Sequence, residues 1–233
     1  MGENVKYYNV EDFNIWRRKQ GRNLKSPPRA NFLAAANHVK NLLDGKSINW
    51  AAFGGLAILC LGSHREMPDI HIVYDAQDFP KIQKRLELDR RVRLPRGMNS
   101  LFPAKVLVST GPQYKDKCTE NADIEVDLIP PGFYGAPPNE TLRKNQVLLR
   151  LNLDGKISNF KGLSILYLVK TALQFCKSQD LAWDPKRDIK FLCLSNHRRT
   201  SANALSPCWV RNLPRHRDPL HPHREHFPGP QPK

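Results

Sequence analysis

A pair of glycines followed closely by an acidic strand constrains this chain more than any other feature of its sequence. Residues Phe53 to Tyr74 read F-G-G-L-A-I-L-C-L-G-S-H-R-E-M-P-D-I-H-I-V-Y. An apolar run ends in Gly54 and Gly55, a short apolar helix pattern follows, and an alternating segment begins at Asp69. Because glycine lacks a Cβ atom, a phosphate can approach the backbone N–H groups where the helix begins. The order of these elements therefore predicts a phosphate site with a carboxylate beside it that can hold Mg²⁺.

The spacing of these elements resembles the motif of the nucleotidyltransferase superfamily, in which hG[GS] precedes an acidic strand of the form D-h-[DE]-h. Thirteen residues separate Gly55 from Asp69. More closely, the chain resembles the abortive-infection toxins and aminoglycoside nucleotidyltransferases, which carry G-G-x-A-x(4)-G-S-x-R before that strand. The matching residues here are Gly54, Gly55, Ala57, Gly62, Ser63 and Arg65.

The resemblance implies that Asp69 and Asp127 are the catalytic carboxylates and metal ligands. Asp127 belongs to a second acidic segment, I-E-V-D-L-I-P, in which Glu125 is a further candidate metal ligand. One position departs from the family motif, because His71 stands where the family has its second Asp or Glu. Imidazole is a poorer ligand for Mg²⁺ than a carboxylate. His71 is therefore expected to impair activity, and its side chain is expected to project beside Asp69.

The resemblance also implies which residues contact the nucleotide. Gly54, Gly55 and Ser63 would face the phosphates, and Arg65 and Lys170 would neutralise them. The segment Gly162 to Cys176 is apolar on nearly all faces, which predicts a buried helix. Lys170, in the middle of this segment, must therefore reach solvent or pair with an anion.

Strand and helix patterns in mixed order predict an α+β domain with a mixed β-sheet flanked by helices, and the resemblance implies a DNA polymerase beta-like fold. This domain is expected at residues 30–194, with C-terminal helices at about 160–194. Residues 1–29 form a basic N-terminal arm, and the segment Arg91 to Ser100 is predicted to be irregular. Residues 195–233 are rich in Pro, His and Arg, and the tail is predicted to be disordered because it has too few apolar residues to form a core.

Composition narrows the partners and the compartment. The net charge of +15 and the pI near 9.8 favour polyanionic partners, including nucleotides. The positive charge is also compatible with nucleic-acid binding. A basic surface that only contacts solvent is the favoured interpretation, so nucleic acid is a possible partner but not a favoured one. The five cysteines form no C-x-x-C pair, which indicates reduced thiols in an intracellular, cytoplasmic or nuclear protein. No apolar stretch approaches the ~20 residues of a membrane helix. Histidines in the tail predict only adventitious metal binding.

Two main functions follow from these observations. The first is an enzyme that transfers a nucleoside monophosphate from an Mg²⁺-bound triphosphate to a hydroxyl of a small molecule, a protein or RNA, with an activity that His71 weakens. The second is a pseudoenzyme that keeps the fold and binds nucleotide or a partner without turnover. A basic nucleic-acid-binding protein is a third interpretation, which salt-dependent binding to a random oligonucleotide would favour.

Overall fold

The computed structural model describes residues 6–20, 26–44, 48–153, 156–177 and 184–202. One mixed sheet of eight strands, in the order β1-β4-β5-β6-β3-β2-β8-β7, organises these residues. The strands are β1 Tyr7–Tyr8, β2 Trp50–Phe53, β3 Asp69–Tyr74, β4 Val92–Pro95, β5 Ala104–Thr110, β6 Ala122–Ile129, β7 Gln146–Leu153 and β8 Lys156–Leu163.

The middle of the sheet combines parallel and antiparallel pairs. Strand β3 pairs antiparallel with β2 on one side and parallel with β6 on the other. Strand β5 extends the sheet antiparallel to β6, and β8 runs parallel to β2. All residues of β2 and β3 are buried, because the sheet is covered on both faces at its centre.

Helices flank this sheet. They are α1 Val10–Gln20, α2 Arg29–Leu43, α3 Gly55–Cys60, α4 Phe79–Leu88, α5 Asn139–Leu142, α6 Ile165–Phe175 and α7 Pro185–Ala202. The apolar stripe of α2, with Phe32, Val39 and Leu43, is buried in the core as its helical spacing predicts. The α+β class and the mixed sheet flanked by helices are therefore confirmed. No helix in the described ranges is both long enough and apolar enough to cross a bilayer.

The strands differ from the expected elements in two places. Val92–Pro95 is a strand rather than irregular chain, because buried Val92 and Leu94 lie on either side of the half-buried Arg93 and pack in the sheet. The hairpin β7–β8 is not predicted by the sequence patterns, and β8 continues to Leu163, so the C-terminal helices begin later than residue 160.

The remaining differences concern the helices and the termini. Helix α6 is only partly buried, since Leu166 and Leu173 are exposed. In the N-terminal arm, β1 pairs with β4 and is followed by α1. The described residues up to Ser195 group into one compact unit. Helix α7 crosses the boundary expected at residue 195 and ends at Ala202, and residues 203–233 of the predicted tail lie outside the described residues.

Candidate functional site

Four titratable side chains meet on one face of the sheet, where β3 and β6 run side by side. In the parallel register of these strands Asp69 lies opposite Glu125 and His71 lies opposite Asp127. Side chains two residues apart on a strand point to the same face, so both pairs share it. Single ligand atoms of Asp69, His71 and Asp127 lie within 4.8 Å of one another. The two carboxylates that the sequence motif predicts are thus close enough to share one cation.

The glycine pair borders this cluster. Phe53, the last residue of β2, lies opposite His71 in the antiparallel register, so the turn at Gly54 begins beside the histidine. Gly54 has φ +58° and ψ −136°, a conformation that other residues rarely adopt. A Cβ atom on Gly54 would lie 2.6 Å from Nδ1 of His71, and one on Gly55 would lie 3.4 Å from the backbone oxygen of Asp69. Glycine at these positions is what allows the turn to approach the cluster.

His71 is a buried aromatic as well as a polar residue. Its ring lies 5.3 Å from the ring of Phe53 and 5.2 Å from that of Phe175, measured between centroids. Its Nε2 is 3.4 Å from Oδ2 of Asp127 and 3.7 Å from Oδ1 of Asp69. Burial disfavours the charged imidazolium, but the two carboxylates outweigh burial and raise the pKa of His71. Nδ1, on the opposite side of the ring, has no hydrogen-bond partner among the described residues.

Two cationic side chains already engage the carboxylates of β6. Nζ of Lys105, which lies opposite Asp127 on β5, is 2.5 Å from Oδ1 of Asp127 and 2.8 Å from Oε2 of Glu125. Nη1 of Arg17, on α1, is 3.2 Å from the same Glu125 oxygen. Burial would raise the pKa of Asp127, but Lys105 and His71 hold it below its usual range. Burial would lower the pKa of Lys105, but the carboxylates raise it.

The other residues expected at the nucleotide are engaged elsewhere. Arg65 forms a bidentate ion pair with Asp188 on α7, with Nε at 2.6 Å and Nη2 at 2.7 Å from the two carboxylate oxygens. Ser63 Oγ accepts a hydrogen bond from the Arg65 backbone N–H at 3.4 Å. Lys170 is exposed, and its ammonium lies 4.8 Å from the ring centroid of Tyr167. The structure thus joins the glycines and the carboxylates of the motif, while Arg65 ties the loop before β3 to α7.

Sequence reasoning missed Lys105 and Arg17. Lys105 begins an alternating K-V-L-V-S segment, so its strand was predictable. Its position opposite Asp127 depends on the β5–β6 register, which no local pattern specifies. Arg17 belongs to a helix far away in sequence, and its contact with Glu125 exists only in the folded chain.

No family model matches the chain, and no curated protein matches it in sequence. Solved structures do resemble parts of the chain, among them the following three. A Thermotoga maritima protein assigned as a nucleotidyltransferase is 16% identical over 76% of this chain and 95% of its own, with a TM-score of 0.42.

Two further solved structures contain lincomycin and adenylyl-2″-tobramycin, respectively. The lincosamide antibiotic adenylyltransferase LnuA, bound to lincomycin, is 16% identical over 69% of this chain and 95% of its own, with a TM-score of 0.41. ANT(2″)-Ia, in complex with adenylyl-2″-tobramycin, is 15% identical over 76% of this chain and 91% of its own, with a TM-score of 0.42. Because these TM-scores are below 0.5, the resemblance is partial, and any function for this chain has to come from its own site.

Proposed function

We propose that this chain binds a nucleoside triphosphate beside Gly54 and Gly55 and transfers its nucleoside monophosphate to an acceptor hydroxyl. The observation that carries the proposal is the convergence of Asp69 and Asp127 from neighbouring strands next to the glycine turn. A phosphate that approaches the turn would therefore come close to Asp69 and Asp127. The acceptor would be a hydroxyl of a small molecule, a protein or RNA.

The donors present do not fit Mg²⁺, the cation that the family resemblance implies. Mg²⁺ prefers oxygen ligands in near-ideal octahedral geometry. Here an imidazole nitrogen lies between the two carboxylates, and Lys105 already engages one oxygen of Asp127. Mg²⁺-dependent transfer by this chain should therefore be weak.

The alternative is a nucleotide-binding pseudoenzyme, and a specific observation favours it. The charges of Glu125 and Asp127 are balanced by Lys105 and Arg17, and His71 contacts the remaining carboxylate. A centre in which two of the three carboxylates are already paired with cationic side chains can bind a ligand through the glycine turn without supporting turnover. The two functions differ in pyrophosphate release.

The test is calorimetry with each NTP in the presence of Mg²⁺ and of Mn²⁺, followed by a pyrophosphate-release assay. Asp69→Asn and Asp127→Asn should each abolish cation-dependent nucleotide binding and release. Asp123→Asn is the matched control, because Asp123 lies on β6 like Asp127 but is exposed and pairs with Arg93. Binding without release would favour the pseudoenzyme. If no NTP binds, or if the three variants behave alike, the proposed site is wrong.

A further inference from the structure

The distances from the His71 nitrogen to the carboxylate oxygens of Asp69 and Asp127 are similar to those between two ligand atoms of one small cation. Nε2 of His71 lies 3.4 Å and 3.7 Å from the nearest oxygens of Asp127 and Asp69. Zn²⁺ bonds nitrogen and oxygen at about 2.0–2.2 Å, which places tetrahedral donors about 3.3–3.6 Å apart. These two histidine–carboxylate separations are within about 0.1 Å of that spacing, while the three donor atoms together lie within 4.8 Å of one another. Small side-chain shifts would close the set around a cation of this class.

The histidine is fixed with Nε2 toward the carboxylates. Its ring packs against Phe53 and Phe175, which also contact each other, and it is almost wholly buried. Nδ1 faces Gly54, where even a Cβ atom would lie at 2.6 Å. Turning the ring away would require these neighbours to move, so any cation held by Asp69 and Asp127 meets an imidazole nitrogen.

The chemistry of this donor set differs from that of an all-carboxylate centre. Imidazole suits borderline transition cations such as Zn²⁺, whereas Mg²⁺ favours carboxylate, carbonyl and water oxygens. Two carboxylates with one imidazole are a mixed set that Mn²⁺, Co²⁺ and Zn²⁺ accept. His71 also brings no negative charge to the place where the family motif has a carboxylate, which further weakens attraction for a hard cation.

The Lys105 ammonium contacts Glu125 and Asp127, carboxylates that could otherwise bind a second cation. Arg17 adds another positive charge at Glu125. The three carboxylates of the cluster therefore face two cationic side chains, Lys105 and Arg17, which leaves one carboxylate in excess. That balance suits one divalent cation rather than two.

We propose that Asp69, His71 and Asp127 bind a single first-row divalent cation, of the class Mn²⁺, Co²⁺ or Zn²⁺, in preference to Mg²⁺, with Lys105 in place of a second cation. The role of this cation in catalysis rests on the proposed nucleotide function. The binding of the cation is independent of that function, because it is measured on the protein without nucleotide.

The test is calorimetric titration of the full chain with MnCl₂, ZnCl₂ and MgCl₂, with thermal midpoints measured in parallel. The parent protein should bind one Mn²⁺ with an affinity on the order of tenfold above that for Mg²⁺. His71→Asn should lower Mn²⁺ affinity on the order of tenfold or more, and His71→Asp should reverse the preference toward Mg²⁺. Asp69→Asn, which leaves the ring packing intact, should also weaken Mn²⁺ binding and serves if a His71 variant does not fold.

Tail histidines are the matched control for stray transition-metal binding. The triple variant His221→Asn, His223→Asn and His226→Asn should keep the parent's Mn²⁺ affinity and stoichiometry. Lys105→Met should admit a second cation and raise the stoichiometry toward two.

Several results would overturn the proposal. The first is binding of Mg²⁺ by the parent that is as tight as binding of Mn²⁺, or tighter. The second is loss of Mn²⁺ binding in the tail variant. The third is a Mn²⁺ affinity that stays unchanged in His71→Asn, in His71→Asp and in Asp69→Asn. Selective Mn²⁺ binding without any NTP binding would refute the proposed function alone. NTP binding without any cation selectivity would refute this inference alone.

Discussion

Gly54→Ala should destabilise the protein strongly, because two independent costs fall on this position. The first is backbone strain, since φ +58° with ψ −136° is a conformation that alanine rarely adopts. The second is steric, since the new Cβ would lie 2.6 Å from Nδ1 of His71. The histidine cannot yield cheaply, because Phe53 and Phe175 pack against its ring.

The magnitude follows from these two costs. Strain at such a position costs about 1–3 kcal/mol, and overpacking a buried site costs about 1–3 kcal/mol. We therefore expect the free energy of unfolding to fall by about 2–6 kcal/mol. For a chain of this size each 1 kcal/mol lowers the thermal midpoint by roughly 2–4 °C, so the midpoint should fall by about 4 °C or more.

Gly62→Ala is the control, since Gly62 has φ +102° but a Cβ atom added there would meet no atom within 4 Å. It should show strain alone, and so a smaller loss in thermal or urea unfolding. In a His71→Ala background Gly54→Ala should cost about 1 kcal/mol less than in the parent, because the clash is gone. Equal losses at Gly54 and Gly62, with no coupling to His71, would refute the packing of the glycine turn against the histidine.

Three further predictions concern the rest of the chain. Lys105→Met leaves two largely buried carboxylates without their ammonium partner, so the free energy of unfolding should fall by about 3 kcal/mol and recover in calorimetry when a divalent cation is added. Asp188→Asn removes the charge that Arg65 contacts, and urea unfolding should show a loss of about 2 kcal/mol, whereas no loss would make that pair dispensable. Deleting residues 203–233, which are poor in apolar residues, should move the thermal midpoint by less than about 1 °C, and a larger fall would show that the segment packs on the core.

The parts of the site that the sequence predicts are those fixed by local rules. Glycine pairs mark a turn that needs a positive φ, and Gly54 has one. Alternation along β3 and β6 places Asp69 beside His71 and Glu125 beside Asp127, with Ile70 buried on the opposite face. The resemblance to the nucleotidyltransferase motif further predicts that β3 and β6 are neighbouring strands.

The parts that the sequence does not predict depend on contacts between distant segments. The register of β5 against β6 sets Lys105 opposite Asp127, and a shift by one residue would turn its side chain to the other face. Arg17 reaches Glu125 from the N-terminal region, and Asp188 captures Arg65 from the C-terminal helix. Lys105 and Arg17 change the charge of the centre without any mark in the motif itself.

The central claim is that the carboxylate cluster beside the glycine turn is a nucleotide site. The most direct measurement is calorimetric titration of the full chain with NTPs in the presence of Mn²⁺, compared between the parent, Asp127→Asn and the control Asp123→Asn. Saturable binding by the parent and by Asp123→Asn, lost in Asp127→Asn, is the predicted result. No binding by the parent, or equal binding by all three proteins, would contradict it.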